Sequence, residues 1–257
     1  DMPAKEYKKA KTGLAVLTLF MLFAGESIRA VIGWELFMTL VGVVSVAYIV
    51  LMIRLRSHIQ WRSIPFWLAA FVLFAVFSVI WAYSPADTAL TLNAFLPAVF
   101  AGVGITLTLP WADFVRALGT TFRWILGLSL LFEVWVSAFV GHPIYPVWVD
   151  VAGGQDAPVY QWSRNLLFEG GPIQGIVGNR NQLGFIAVLA LIVFCIQLAE
   201  KIVWRSWTII WIAVALGTLA LTRSTTDILA LIVVAVMTAF ALWARAIPQS
   251  RRWPLYA

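Results

Sequence analysis

Residues 170–199 read GGPIQGIVGNRNQLGFIAVLALIVFCIQLA, a glycine-rich polar loop that runs directly into a long apolar stretch. Five glycines (Gly170, Gly171, Gly175, Gly178 and Gly184) let backbone approach backbone or a ligand closely. Asn179 or Asn181 can cap the first turn of the helix predicted over 181–199. At 1.5 Å per residue such a helix reaches roughly 28 Å, close to the thickness of a bilayer's hydrocarbon core. Arg180 stands at the positive end of its dipole, a poor place for an isolated cation and a good one for holding an anion.

The rest of the chain repeats the apolar theme. Hydrophobic residues make up 62% of the 257 positions and charged residues 12%, about half of what soluble domains carry. Mean hydropathy is +0.90. This composition describes an integral membrane protein, and because apolar runs of roughly 20 residues recur along the whole length, the predicted fold is an all-α, polytopic helical bundle forming a single transmembrane domain over 1–257. Eight spans are expected, at about 12–31, 34–53, 64–83, 88–109, 122–140, 181–199, 204–221 and 226–244. The first is the least regular, since Glu26 and Arg29 interrupt it; it reads as short, tilted or broken. The lone Cys195 lies in an apolar run and excludes an internal disulfide framework.

Charge distribution gives the orientation. With the N-terminus inside, the cytoplasmic segments hold Lys5, Lys8, Lys9 and Lys11, then Arg54, Arg56 and Arg62, then Arg116 and Arg123, then Lys201 and Arg205, then Arg245, Arg251 and Arg252. Only Arg29, Arg164, Arg180 and Arg223 of the 18 basic residues remain for the outer face. Topology thus accounts for the net charge of +6, and no nucleic-acid partner is needed to explain it.

One connection is long. Residues 141–180 form an extracytoplasmic loop with seven glycines and the aromatics Tyr145, Trp148, Tyr160, Trp162 and Phe168. Loops of this length are usually functional. Aromatic faces beside polar groups suit sugar binding, and they equally suit a loop that dips into the lipid interface. The predicted hairpin of the sixth and seventh spans returns Arg223 to the level of Arg180, and two facing cations invite a diphosphate. Ordinary ion pairs, Arg180 with Glu169 and Arg223 with Asp227, are the alternative. Ser224 and Asp227 match a capping box for the last helix, and hydroxyls at such a terminus also favour an oxyanion. Asn179, Asn181 and Ser224 therefore join the two arginines as candidate diphosphate ligands.

Glu133, well inside the fifth span, is a candidate catalytic group or a hydrogen-bonded structural one. His142 is a possible acid or base, or a structural histidine before Pro143. Asp87 faces outside and is either a third catalytic candidate or a cap for the fourth span. Walker, GxSxG, HExxH and CxxC patterns are missing, so no cofactor and no metal are expected.

Three segments carry a resemblance: VFSVIWAYSPADTALTLNAFLPAVFAGV at 76–103, IQGIVGNRNQLGFIAVLALIVF at 173–194 and LALTRSTTDILALIV at 219–233. In order and spacing they resemble the N-terminal part of the O-antigen ligase and polysaccharide polymerase superfamily, especially its exopolysaccharide-production branch. The resemblance implies a C-type glycosyltransferase architecture in a bacterial cytoplasmic membrane. It implies transfer of a glycan from an undecaprenyl diphosphate carrier to a glycan or lipid acceptor, with Arg180 and Arg223 stabilising the leaving diphosphate and a general base activating the acceptor hydroxyl. Many members have Ser-Arg-Thr where this chain has Arg223 before Ser224 and Thr225. The family continues into further spans and a second large outer loop, so the chain reads as a piece of a longer protein. A transporter or flippase of lipid-linked or small anionic substrates is the other function class that outer arginines and an intramembrane glutamate fit. No internal repeat of the kind transporters carry is evident.

Overall fold

The computed structural model describes residues 4–56, 64–154 and 157–246. Arg62, Arg251 and Arg252, part of the charge pattern above, lie outside these residues. Seven α-helices follow in order: α1 (Ala4–Leu55), α2 (Phe66–Phe77), α3 (Pro85–Thr108), α4 (Trp111–Trp135), α5 (Arg180–Ala199), α6 (Arg205–Thr222) and α7 (Thr225–Ala246). Short 3₁₀ turns at Ser78–Trp81 and Pro158–Tyr160 and a widened π turn at Val136–Val140 complete them, and an Ile144–Ser163 bridge is the extended pairing among the described residues. Among the described residues six helical stretches are long and apolar enough to cross a membrane, and Phe66–Trp81 is a shorter apolar one.

The two expected spans at 12–31 and 34–53 fall within α1, which folds back on itself. A straight helix of 52 residues would be about 78 Å long. Instead Gly33 takes φ 79° and ψ 177°, a conformation that glycine alone adopts without strain. Ala15 and Leu19 from the first half consequently share a buried cluster with Val44, Tyr48 and Leu51 from the second, together with Ile105 of α3 and Ala117 of α4. The irregularity expected near Glu26 is present at Ala24, whose φ of −129° leaves the helix.

The fifth expected span, 122–140, begins earlier, at Trp111 behind the extended Pro110. The polar first turns of α4 look like a loop in the sequence, but Asp113 and Thr121 turn inward and are buried, as does Ser129 further along. Asp113 pairs with Lys8 at 2.9 Å and Arg116 at 2.6 Å. The Arg123 guanidinium donates to Gln197 Oε1 at 2.5 Å and lies over the Phe194 ring. These contacts gather the starts of α1 and α4 and the end of α5 at one end of the bundle, as alternating helices require.

At the centre stands α5. Leu183, Ile186, Ala187, Ala190 and Phe194 are fully buried against Phe122, Ile125 and Leu126 of α4 and Ala215 and Leu219 of α6. By contrast α7 buries only Asp227. Its remaining apolar surface is what a lipid-facing helix presents.

Candidate functional site

The end opposite the Lys8–Asp113 contact carries the 141–179 connection, here called the loop end, and Glu133 anchors it. Its carboxyl is 1% exposed. Ser163 Oγ donates to Oε2 at 2.9 Å, and the backbone N–H groups of Gln174 and Gly175 donate to Oε1 at 2.9 and 2.7 Å. One turn earlier on α4, Ser129 Oγ accepts from Ile176 N–H at 3.2 Å. Gly175 makes this approach possible: at φ +61° its missing Cβ would lie 2.6 Å from Ser129 Cβ. The Trp162 indole, packed against Phe132 at 4.7 Å between centroids, donates to the Ile176 carbonyl at 2.7 Å. Further hydrogen bonds tie Val147 N–H to the Ala30 carbonyl and Ile173 N–H to that of Leu221. The loop is therefore fastened to α1, α4 and α6 together.

This clamp delivers the backbone to the start of α5. Asn179, rather than Asn181, is the cap: its Oδ1 accepts from the N–H groups of Asn181 and Gln182 at 2.9 and 3.2 Å. Gln182 reaches across to the Phe23 carbonyl at 3.0 Å, beside the Ala24 irregularity.

Between this terminus, the loop and the α1 hairpin lies a cavity of about 470 Å³, within the range of roughly 300–1,000 Å³ typical of small-molecule sites. Trp148, Tyr160 and Trp162 of the expected aromatic set line it, joined by Trp34 and Phe37. Gln161, which lines it too, donates to the Tyr145 hydroxyl at 3.2 Å, while Phe168 is exposed elsewhere. Its polar side chains include Glu26, Arg29, Asn179 and Gln182. Glu26 and Arg29 pair at 2.8 Å, and the guanidinium lies 4.8 Å from the centre of the Trp148 ring and 5.7 Å from that of Trp34. Sequence reading assigned Arg29 to the outer face and took Glu26 with it as an interruption of the first span, and went no further. The signal available was an acid and a base three residues apart inside an apolar span, which is costly unless paired.

Arg180 and Arg223 lie at the same end but on another side of α5. Helical geometry puts Arg180 about 160° around from Gln182 and on the face of Gly184, one turn below it. A Cβ on Gly184 would strike the Asp227 carboxyl, and Asp227 lies in the first turn of α7, which begins two residues after Arg223. Arg223 closes α6 at φ 51°, a left-handed cap that favours glycine, with Nη2 3.6 Å from where a Gly170 Cβ would be. Both arginines are exposed. Neither enters an ion pair among the described residues, so the alternatives Arg180–Glu169 and Arg223–Asp227 are not formed.

Ser224 is buried, and its hydroxyl accepts from Asp227 N–H at 3.4 Å, one half of the expected capping box. Among the described residues Asp227 Oδ2 is buried without a partner. Asp87 sits exposed in the first turn of α3, where it accepts from Ser84 Oγ at 2.6 Å; the N-cap position belongs to Ser84, whose side chain makes no capping hydrogen bond to the backbone. His142 is exposed just past α4, its Nδ1 3.0 Å from the Pro143 carbonyl. None of Glu133, His142 and Asp87 lines the cavity. Groups of three or more side chains able to hold a metal are absent among the described residues. No protein-family model, no curated protein and no solved structure matches the chain.

Proposed function

We propose that this chain is a membrane glycosyltransferase of the O-antigen ligase and polysaccharide polymerase kind, moving a glycan from an undecaprenyl diphosphate carrier to a glycan or lipid acceptor. The observation that carries the reading is the placement of two uncompensated arginines, Arg180 and Arg223, at the same end of the bundle as an aromatic, amide-lined cavity. In this reading α1 contributes two spans hinged at Gly33 and Phe66–Trp81 is a short span, which makes eight. The N-terminus is cytoplasmic, the loop end faces outward, and the architecture is of the C-type glycosyltransferase class.

The reaction needs no metal or nucleotide. The acceptor hydroxyl oxygen attacks the anomeric carbon, the bond from that carbon to the phosphate oxygen breaks, and the carrier leaves as its diphosphate. Developing negative charge falls on the phosphate oxygens, where guanidinium groups lower the barrier. Arg223 holds a backbone conformation costly for any residue but glycine, and that kind of strain is retained at functional positions. The acceptor glycan occupies the cavity, its C–H faces on Trp148 and Tyr160 and its hydroxyls on Gln161, Asn179 and Gln182. Glu26 is the carboxyl within reach of those hydroxyls and accepts the hydrogen bond that orients the attacking oxygen. The hydroxyl proton leaves to a general base as the new bond forms. Glu133 acts as the loop's anchor. Arg180 and the cavity lie on different faces of α5, and because the displacement is direct, the donor's anomeric carbon lies over that helix's amino-terminal turn, between the diphosphate held on one side and the acceptor hydroxyl on the other.

Arg180→Ala tests the proposal. In proteoliposomes supplied with the lipid-linked glycan, transfer is expected to fall about 10²–10³-fold with insertion and unfolding temperature unchanged. Normal polymer length and yield in that variant refute the assignment.

A further inference from the structure

The loop-end cavity does not end at its aromatic walls. Met21, Leu22 and Phe37 also line a second cavity of about 210 Å³ directly beneath it, between the two halves of α1 and α3. Its character changes abruptly at that neck. Below it the walls are Val41, Val44, Ala94, Pro97, Ala98 and Ala101. The two hydroxyls present, Thr18 and Ser45, donate to their own helix at the Leu14 and Val41 carbonyls, 2.7 and 2.8 Å away, so neither has a hydrogen left to donate to a ligand. From Phe37 to Ser45 the slot follows the helix for roughly 12 Å.

We propose that the two cavities form one site for an amphiphile whose hydroxylated, uncharged head group fills the upper part and whose single hydrocarbon chain enters the slot. The head is uncharged because the charges above are already matched. Glu26 holds Arg29 at 2.8 Å, and the aromatic faces of Trp148 and Trp34 cover the guanidinium. What remains are amides, ring faces, the free lone pairs of Glu26 and the Arg29 Nε–H, which is buried without a partner among the described residues; all of these recognise hydroxyls and C–H groups. A single chain fills the slot: 210 Å³ is about seven water volumes, room for a comparable number of methylenes. Gly25 keeps the neck open: a Cβ there would lie 2.9 Å from Phe37 Cζ. The inference rests on the cavity's role as acceptor site and not on the diphosphate site at Arg180 and Arg223. It identifies the acceptor as lipid-anchored.

The test uses the full chain in phosphatidylcholine nanodiscs and an octyl glucoside carrying a photoreactive diazirine at the end of its chain. Labelling is expected on 94–101 of α3 and 38–45 of α1. Unlabelled octyl glucoside should compete, whereas free glucose and octyl sulfate should not. Ala98→Trp fills the slot and is expected to cut labelling about tenfold, an affinity loss of roughly 1.4 kcal/mol. Trp148→Ala, at a half-exposed ring, is expected to raise the half-saturating concentration by a similar factor without touching the core. Labelling spread over the lipid-facing surface of α7, no effect of either variant, or equal competition by octyl sulfate overturns the proposal. Arg180→Ala should leave labelling intact. Slot labelling lost while Arg180→Ala still cuts transfer about 10²–10³-fold counts against the amphiphile alone. Labelling kept while Arg180→Ala transfers normally counts against the diphosphate site alone.

Discussion

Glu133→Ala is the sharpest test of how the loop end is held. The substitution removes the acceptor of three hydrogen bonds, from Ser163 Oγ, Gln174 N–H and Gly175 N–H. The serine hydroxyl can rotate to another acceptor, but the two backbone N–H groups are fixed by the turn and buried. A buried donor left without a partner costs about 1–3 kcal/mol, so the stranded pair puts the local loss at roughly 2–6 kcal/mol. Hydrogen exchange at Gln174 and Gly175 should accelerate at least about thirtyfold, since each 1.4 kcal/mol is a factor of ten. Glu133→Gln behaves differently. Its amide oxygen still accepts from both N–H groups and its amide nitrogen can donate to Ser163 Oγ, so the loss should stay below about 2 kcal/mol and transfer should largely persist. Exchange mass spectrometry on the 173–176 segment, paired with a transfer assay, reads both effects. Unchanged exchange in the alanine variant refutes the anchoring argument, and a fully inactive but well-folded glutamine variant makes Glu133 a proton-transfer group instead.

Other perturbations have distinct signatures. Gly175→Ala places a side chain at φ +61° and drives its Cβ to 2.6 Å from Ser129 Cβ, so the loop should lose roughly 2–5 kcal/mol of local stability and become cleavable by trypsin at Arg164. Gly184→Ala forces the Asp227 carboxyl and α7 away from α5; it should lower stability by about 1–3 kcal/mol, read as a lower unfolding temperature in detergent. Asn179→Ala removes the α5 cap and should cost about 1 kcal/mol while also weakening glucoside labelling, whereas Asn181→Ala should do neither.

The membrane bundle was legible from the sequence because hydropathy is local. A run such as 181–199 declares a span regardless of its neighbours, and α5 covers Arg180–Ala199. Gly170 to Gly178 likewise announced a tight, close-approaching backbone, which is what Glu133 and Ser129 require. The start of α4 was misread for a reason of the same kind: inward-facing Asp113 and Thr121 lower the hydropathy of a helix whose polar groups are satisfied inside the bundle. Arg180 and Arg223 could be placed at one end by counting helix lengths.

Sequence alone therefore determined that the chain crosses a bilayer as helices, where its one long loop lies, and which residue types gather at the helix ends. Only the tertiary structure decided that Glu26, Arg29 and Trp34 share a cavity with Gln161, Asn179 and Gln182, and that Glu133 serves the loop from beneath. The physical reason is that apolar residues are equally at home against lipid and against another helix, so a membrane helix's pattern fixes that it crosses and leaves open which face turns inward. Rotation about the helix axis is set by long-range contacts such as Gln182 to the Phe23 carbonyl, whose partners lie far apart along the chain.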